Sequence, residues 1–348
     1  MIFRKLQERD IKDAKKLWME SFGDSEDFVH FYFKNKFKPE NSMGAFIKDK
    51  LVGDITMQEF NLLIRNNVIN TGFLAGCATD PDFRNQGIMR GLLLAQLEEM
   101  NKKGYAFCHL HPFLHAFYRK FGWETVSHMY RVVVPEITVE SYAKEISFDY
   151  DKLTVLYRRF VDKYDGYFFR SPWEMSVRIE EHINDGGKVA STEGGYAIYY
   201  VLEDKVDVIE MVAMSDPDAK EILSILSIYG LPICYYMPDS AELQKNGLLE
   251  EYTMMRIVNV KCAFESIRMP DIRFSVKVAD DFCDWNNTAL LVEYKEGVPE
   301  VKEYKGKEPD ARIDIGELSS LLAGKYTGKN DFLKSFFTNQ KTCFFNTY

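Results

Sequence analysis

The hydrophobic positions of the chain change rhythm along its length, and those changes mark its elements. Residues 2–6 read as a strand. Ile11, Ala14, Leu17 and Trp18 recur at helical spacing, so residues 11–22 read as a helix that Gly23 stops. Asp24-Ser25-Glu26-Asp27 opens a second helix. There Phe28, Phe31, Tyr32 and Phe33 read as core and the acidic residues as helix caps. Two strands follow, residues 43–48 and 51–64, with a turn at Asp49-Lys50. A turn at Arg65-Asn66-Asn67 returns the chain along a strand ending near residue 79. Residues 73–78 are small or apolar throughout and should be buried. Asp80-Pro81-Asp82 breaks the strand. Ile88, Leu92, Ala95, Leu97 and Met100 then mark a helix over residues 87–103, with Lys102 and Lys103 at its negative end and Gly104 as its stop. A strand over 105–110, a short helix over 113–121 and a strand over 123–134 complete the unit.

Pro135 marks a boundary. The second unit, residues 135–257, begins with helices over 152–165 and 173–182. Short strands follow, including 196–202 and 206–212, and Asp216-Pro217-Asp218 caps a helix over 219–229. This order resembles the first unit without its glycine loop. The third unit, residues 258–348, is rich in strands early (273–278, 289–293, 311–315) and ends in helices and an aromatic tail. The expected class is α+β with three domains, 1–134, 135–257 and 258–348, which suits a chain of 348 residues.

Composition narrows the setting. No run approaches the ~20 apolar residues that span a bilayer, and the first residues lack the apolar segment of a signal peptide. The six cysteines are scattered without CxxC or CxxH spacing. Reduced thiols and a cytoplasmic location are expected, and no metal site. A net charge of −9 argues against nucleic acid and permits a cationic substrate.

The candidate chemistry lies between Cys77 and Trp123. A strand, a turn and a helix opening with Arg84-Asn85-Gln86-Gly87-Ile88-Met89-Arg90 make an anion cradle. Unpaired N–H groups at a helix start point at a phosphate, and the helix dipole favours negative charge there. Gly87 lets the backbone approach closely, and Arg84 and Arg90 can add charge-assisted bonds. Tyr118 follows the next strand as a candidate acid. His109 and His111 share a face of that strand as candidate bases or pocket residues. Cys108 faces away from them.

The Arg84-x-x-Gly87-x-x-Arg90 loop is similar to motif A of the GNAT acetyltransferases. Met89 replaces the second small residue of that motif, as in the Eis-like (enhanced intracellular survival) branch. The later Tyr118-Arg119-Lys120-Phe121-Gly122-Trp123 also resembles that branch. Tyr164-Asp165-Gly166 with Arg170 and Trp173 looks like its second GNAT-like domain. Residues 255–260 with Asp280, Asp281, Trp285, Asn286 and Asn287 look like its sterol-carrier-like third domain. The resemblance implies tandem GNAT-like α/β domains followed by a sterol-carrier-like domain. It also implies direct transfer of acetyl from acetyl-CoA to an amine, aminoglycoside-like, polyamine-like or lysyl. The pyrophosphate would lie on the backbone of Asn85, Gln86, Gly87 and Met89. The pantetheine would run between residues 73–78 and 105–110, with an N–H near Cys77 or Ala78 polarising the thioester. Tyr118 would be the acid, and the α-carboxylate of Tyr348 the base. An acetyl-CoA sensor or a carrier of an apolar ligand is the alternative. Acetyl-CoA and the amine are the expected partners, without membrane or nucleic acid, and a homo-oligomer is left open.

Overall fold

The computed structural model describes residues 1–136, 147–238, 247–326 and 328–345. The first unit contains β1 (Ile2–Lys5), α1 (Ile11–Ser21), α2 (Glu26–Asn35), β2 (Met43–Ile47), β3 (Lys50–Ile64), β4 (Asn67–Thr79), α3 (Ile88–Lys102), β5 (Phe107–Leu110), α4 (His115–Arg119) and β6 (Glu124–Thr125). Both long hairpins turn where two successive residues take positive φ. These are Lys48 and Asp49 (48° and 67°), then Arg65 and Asn66 (47° and 59°). Two left-handed residues match the twist of the flanking strands, so each hairpin closes tightly. The first turn therefore sits one residue earlier than Asp49-Lys50.

The second unit follows as β7 (His128–Val134), α5 (Tyr150–Val161), β8 (Tyr167–Phe168), α6 (Pro172–Asn184), β9 (Lys188–Ser191), β10 (Gly195–Val201), β11 (Val206–Ala213), α7 (Asp216–Leu226), β12 (Ile233–Pro238), β13 (Leu248–Glu251) and β14 (Met254–Ile257). The third contains α8 (Val260–Ser266), β15 (Ile272–Ala279), β16 (Thr288–Lys295), β17 (Val298–Glu303), β18 (Ala311–Asp314), α9 (Ile315–Leu322) and α10 (Asp331–Lys334).

The sheets do not divide at Pro135. The strand expected over 123–134 is two strands in two sheets. β6 stays in the first sheet, whose order is β1-β2-β3-β4-β5-β14-β6, with β8 paired to β3. β7 lies in the second, ordered β13-β7-β12-β11-β10-β9. In exchange, β14 returns from the end of the second unit and pairs with β5 and β6. The crossing is stitched at Ser127 and Thr253, whose buried hydroxyls lie 2.7 Å apart. The two units are thus interleaved by hydrogen-bonded strands and are not a pair of beads on a linker.

The third unit has a four-stranded sheet, β17-β16-β15-β18. Its apolar residues Phe264, Phe274, Leu318 and Phe337 share one core with Leu62, Phe73 and Phe107 of the first unit. Arg256 of β14, fully buried, pairs with Asp280 and donates to the Phe121 carbonyl. The third unit therefore braces the end of the α4 turn.

Candidate active site

The site begins where two parallel strands part. β4 pairs with β5 only through Gly72–Leu74 and Cys108–Leu110. Beyond Leu74, β4 carries an extra residue against β3. Asp54 opposes Ala78, but Thr56 opposes Ala75. Gly76 takes φ +55° within this bulge, and a Cβ there would lie 2.1 Å from the Trp18 ring. Glycine is required both for the conformation and for the indole. A bulge bends its strand and re-aims side chains, so residues 75–78 turn away from β5. Trp18 is fixed in turn by its indole N–H, which donates to Asp24 at 2.7 Å. Asp24 is therefore not the cap of α2; Ser25 accepts the Phe28 N–H in that role.

At the far end of β4, Asp80 takes the Asp82 N–H at 3.0 Å and the Lys50 ammonium at 2.8 Å. That contact holds the Asp80 carboxyl below its usual range. Asn85 and Gly87 both take positive φ, 61° and 77°. Gly87 is the N-cap of α3 and brings no side-chain cap. Nothing lies within 4 Å of a Cβ built there, so conformation and not crowding calls for glycine. The first N–H groups of α3 are left for an external anion. Arg84, Asn85, Gln86, Gly87 and Arg90 are exposed around this end, and Met89 is half-buried in the core. Arg84 donates to the Thr79 carbonyl at 3.2 Å, and the Arg90 guanidinium stands 5.3 Å over the ring of Phe282.

Tyr118, 3% exposed, packs against Phe113, Phe117 and Trp123. Its hydroxyl faces the Cys77 thiol at the bulge. Burial raises the phenol above its ordinary value, with a contribution from Cys77. Burial likewise pushes the Cys77 thiol up to about 12. The structure thus places Tyr118 beside Cys77 at the mouth of the splay, while Ala78 packs with Trp18 and Tyr32.

The two histidines of β5 differ in surroundings. His109 is fully buried, with Nδ1 3.3 Å from the Thr71 hydroxyl and no partner at Nε2 among the described residues. Burial holds it down to about 3. His111 lies against the Tyr252 ring and is held at about 4 by burial and by His115. It lines a pocket of about 400 Å³ with His115, Tyr236, Glu250, Glu251 and Tyr252. A smaller cavity of about 120 Å³ opens between α2, β3 and α6, lined by Lys36, Gln58, Phe60, Arg170, Arg178 and Glu181 among others.

The aromatic tail enters between the first two units. The Asp165 N–H donates to the Lys341 carbonyl and the Cys343 N–H to the Gly166 carbonyl, each at 2.8 Å. Phe344 packs on His109 and Phe168. Arg178 donates to the Phe345 carbonyl at 3.1 Å. Tyr348 lies outside the described residues. Arg178 is held by Glu210, a fully buried carboxylate that also receives Arg170 and the Tyr196 hydroxyl. These cations keep Glu210 down to about 2 despite its burial. Sequence reasoning passed over Glu210. The signal was a charge in the otherwise apolar run 208–213 of β11.

Residues 3–126 match the family described as Acetyltransferase (GNAT) domain, and residues 260–329 the Sterol carrier protein domain. No curated protein matches the chain. Among solved structures, a probable N-acyltransferase from Enterococcus faecalis superposes over 100% of this chain and 99% of its own, with TM-score 0.82 and 15% identity. A GCN5-related N-acetyltransferase from Anabaena variabilis covers 100% of both chains, with TM-score 0.80 and 18% identity. Eis1 from Mycobacterium abscessus also covers 100% of both, at 0.75 and 16%. These likenesses establish a shared fold over the full length. Residues 3–126 thus form a GNAT acetyltransferase domain and residues 260–329 a sterol-carrier domain, in a chain that shares its full-length fold with Eis1 and the other two structures.

Proposed function

We propose that the chain transfers acetyl from acetyl-CoA directly to a primary amine. The observation that carries this reading is the Tyr118 hydroxyl at Cys77, where β4 leaves β5 beyond the uncapped start of α3. The N–H groups of Asn85, Gln86, Gly87 and Met89 bind the pyrophosphate, with Arg84 and Arg90 beside them. The edge of β4 over residues 75–78, freed from β5, takes the pantetheine amides. An N–H near Cys77 or Ala78 polarises the thioester carbonyl, where fixed donors act most strongly because charge develops there. Tyr118 protonates the departing sulfur. Its burial raises the phenol's pKa but excludes the water that would otherwise compete for this transfer.

The acceptor is a cationic amine, on a small molecule or a lysyl side chain. The pocket beside His111 supports this reading with the rings of Tyr236 and Tyr252, beside glutamates that are paired with Arg119 and Arg131. Its residue Phe113 has its ring centroid 5.8 Å from that of Tyr118. The α-carboxylate of Tyr348 takes a proton from the attacking nitrogen. The path of Lys341–Phe345 into the space between the first two units supports that role. The apolar-carrier alternative draws less support, because aromatic side chains of the third unit pack directly onto the first.

Release of the CoA thiol in the presence of a panel of primary amines tests the reading. Amine-dependent release with formation of the amide is expected. Binding of acetyl-CoA without turnover on any amine would leave a sensor. A tag joined after Tyr348 converts its carboxylate to an amide and is expected to abolish transfer while acetyl-CoA affinity stays. Full turnover from the tagged protein would remove Tyr348 from the mechanism.

A further inference from the structure

Asp54 is a buried carboxylate that no step above uses. It sits within β3, 3% exposed, and no hydrogen bond reaches its carboxylate among the described residues. An ion held away from water without a partner is costly, so such a group calls for an explanation. Burial alone moves its pKa well above the usual carboxylate range.

Its position is informative. Side chains alternate along a strand, so Asp54, Thr56 and Gln58 face the same way, toward α1 and α2. Gln58 donates to the Tyr32 hydroxyl at 3.1 Å, and Ala78, the partner of Asp54 across the strands, packs in the cluster with Trp18 and Tyr32. Thr56 is also buried, with its hydroxyl beside that of Tyr32. The bulge at Gly76 and Cys77 lies between the β4 partners of Asp54 and Thr56. The unanswered Asp54 carboxylate therefore stands beside the residues that turn away from β5. The titratable groups near Asp54 are Tyr32 from α2 and Cys77 from β4, with Tyr118 of α4 behind Cys77. None of these is a cation.

The chemistry of transfer leaves a task open. An alkylamine enters as an ammonium with three N–H bonds, and the amide product keeps one. Two protons must leave the nitrogen. In the reading proposed above, one is lost as the amide forms and is matched by the proton that Tyr118 gives to sulfur. The other must leave before attack, because an ammonium has no lone pair.

We infer that Asp54 is the group that receives the acceptor's ammonium and takes this first proton. One N–H bond breaks with its electron pair left on nitrogen, and one O–H bond forms at Asp54. The proton passes to water after turnover. A dry carboxylate suits both halves of the task. An ammonium brought beside it favours the ionised form that accepts the proton, and burial makes that form a better base than a carboxylate in water. This inference rests on the amine-transfer reading.

The test compares two probe amines of similar shape, ethylamine and 2,2,2-trifluoroethylamine. The fluorines leave the second largely unprotonated at neutral pH, so it needs no first deprotonation. In Asp54→Asn, kcat/KM for ethylamine is expected to fall about 100-fold at neutral pH, the range of a lost general base. It should recover as rising pH supplies free amine. Trifluoroethylamine and acetyl-CoA affinity should be unaffected. Equal loss for both amines, no loss for ethylamine, or weakened acetyl-CoA binding would each overturn the role. Asp54→Ser is the second variant, and failure of both to fold would assign Asp54 to structure. Absence of turnover by the parent on every primary amine of the panel would refute the amine-transfer reading itself, an outcome distinct from failure of Asp54 alone.

Discussion

The helices α3 and α7 occupy corresponding places in the two units, and their first turns are opposites. Each follows a strand that pairs in parallel with the next one, β4 with β5 and β11 with β12. α3 starts at a left-handed glycine with no side-chain cap, and its first turn holds no acidic residue. α7 starts at Ser215, which accepts the Asp218 N–H, and its first turn carries Asp216 and Asp218. The second unit answers its own N–H groups and dipole with its own side chains, so no seat for a phosphate remains. Its interior has changed as well. Where the first unit has a splayed edge and the Cys77–Tyr118 contact, the second has Glu210 with two arginines and a tyrosine. One framework serves as a binding unit when its helix start is left open, and as a brace when it is closed.

The largest effect should come from the open unit's chemistry. Tyr118→Phe removes only a hydroxyl and should lower kcat by ~10²–10⁴, with acetyl-CoA affinity kept. Steady-state kinetics with calorimetry checks this, and a variant within about twofold of the parent would assign Tyr118 to packing.

The closed unit should show its role in stability. Glu210→Gln takes the carboxylate from two buried guanidiniums and should cost about 3–5 kcal/mol. Denaturant unfolding measures it. A loss below about 1 kcal/mol would mean that the cluster does not hold the brace together.

Gly87→Val should weaken acetyl-CoA by more than tenfold, about 1.4 kcal/mol, because a β-branched residue resists the left-handed conformation. Isothermal calorimetry on a folded variant decides the matter, and unchanged affinity would place the nucleotide elsewhere. The matching change on α7, Ser215→Ala, should leave acetyl-CoA affinity untouched. It should cost only ~1 kcal/mol of stability for the lost cap, the smallest of these chemical changes.

Acid should also act on the fold. His109 and His111 are held by burial at about 3 and about 4, below the ordinary imidazole value. The unfolded chain then binds more protons than the native one beneath about pH 6.5. Stability should fall as pH drops from there through about 4. His109→Gln and His111→Gln would flatten that slope in thermal melts taken across pH, and an unchanged slope would locate the acid sensitivity in other groups.

Much of the open unit was legible in order. The apolar rhythm located α3, and Arg84-x-x-Gly87 marked its start because a left-handed glycine before a helix is a local event. Tyr118 was marked by its neighbours in the chain. The turns of the long hairpins were also legible, the first with an error of one residue at Lys48 and Asp49. What escaped was decided across distance. The exchange of β7 for β14 depends on which edges meet after folding, and neither segment differs in composition from a strand that stays at home. Asp54 and Glu210 read as ordinary charges in strands.

The sequence by itself determined the local conformations: the positive φ at Gly87, the breaks at Pro81 and Pro135, and the apolar stripe of α3. These depend on sterics and periodicity within a few residues. Only the tertiary structure decided that Asp54 lies unanswered beside the bulge, that Cys77 meets Tyr118, and that the tail at Phe344 reaches His109. Burial and partnership belong to residues far apart in the chain, and the free energy of a buried charge has no value until its neighbours are in place.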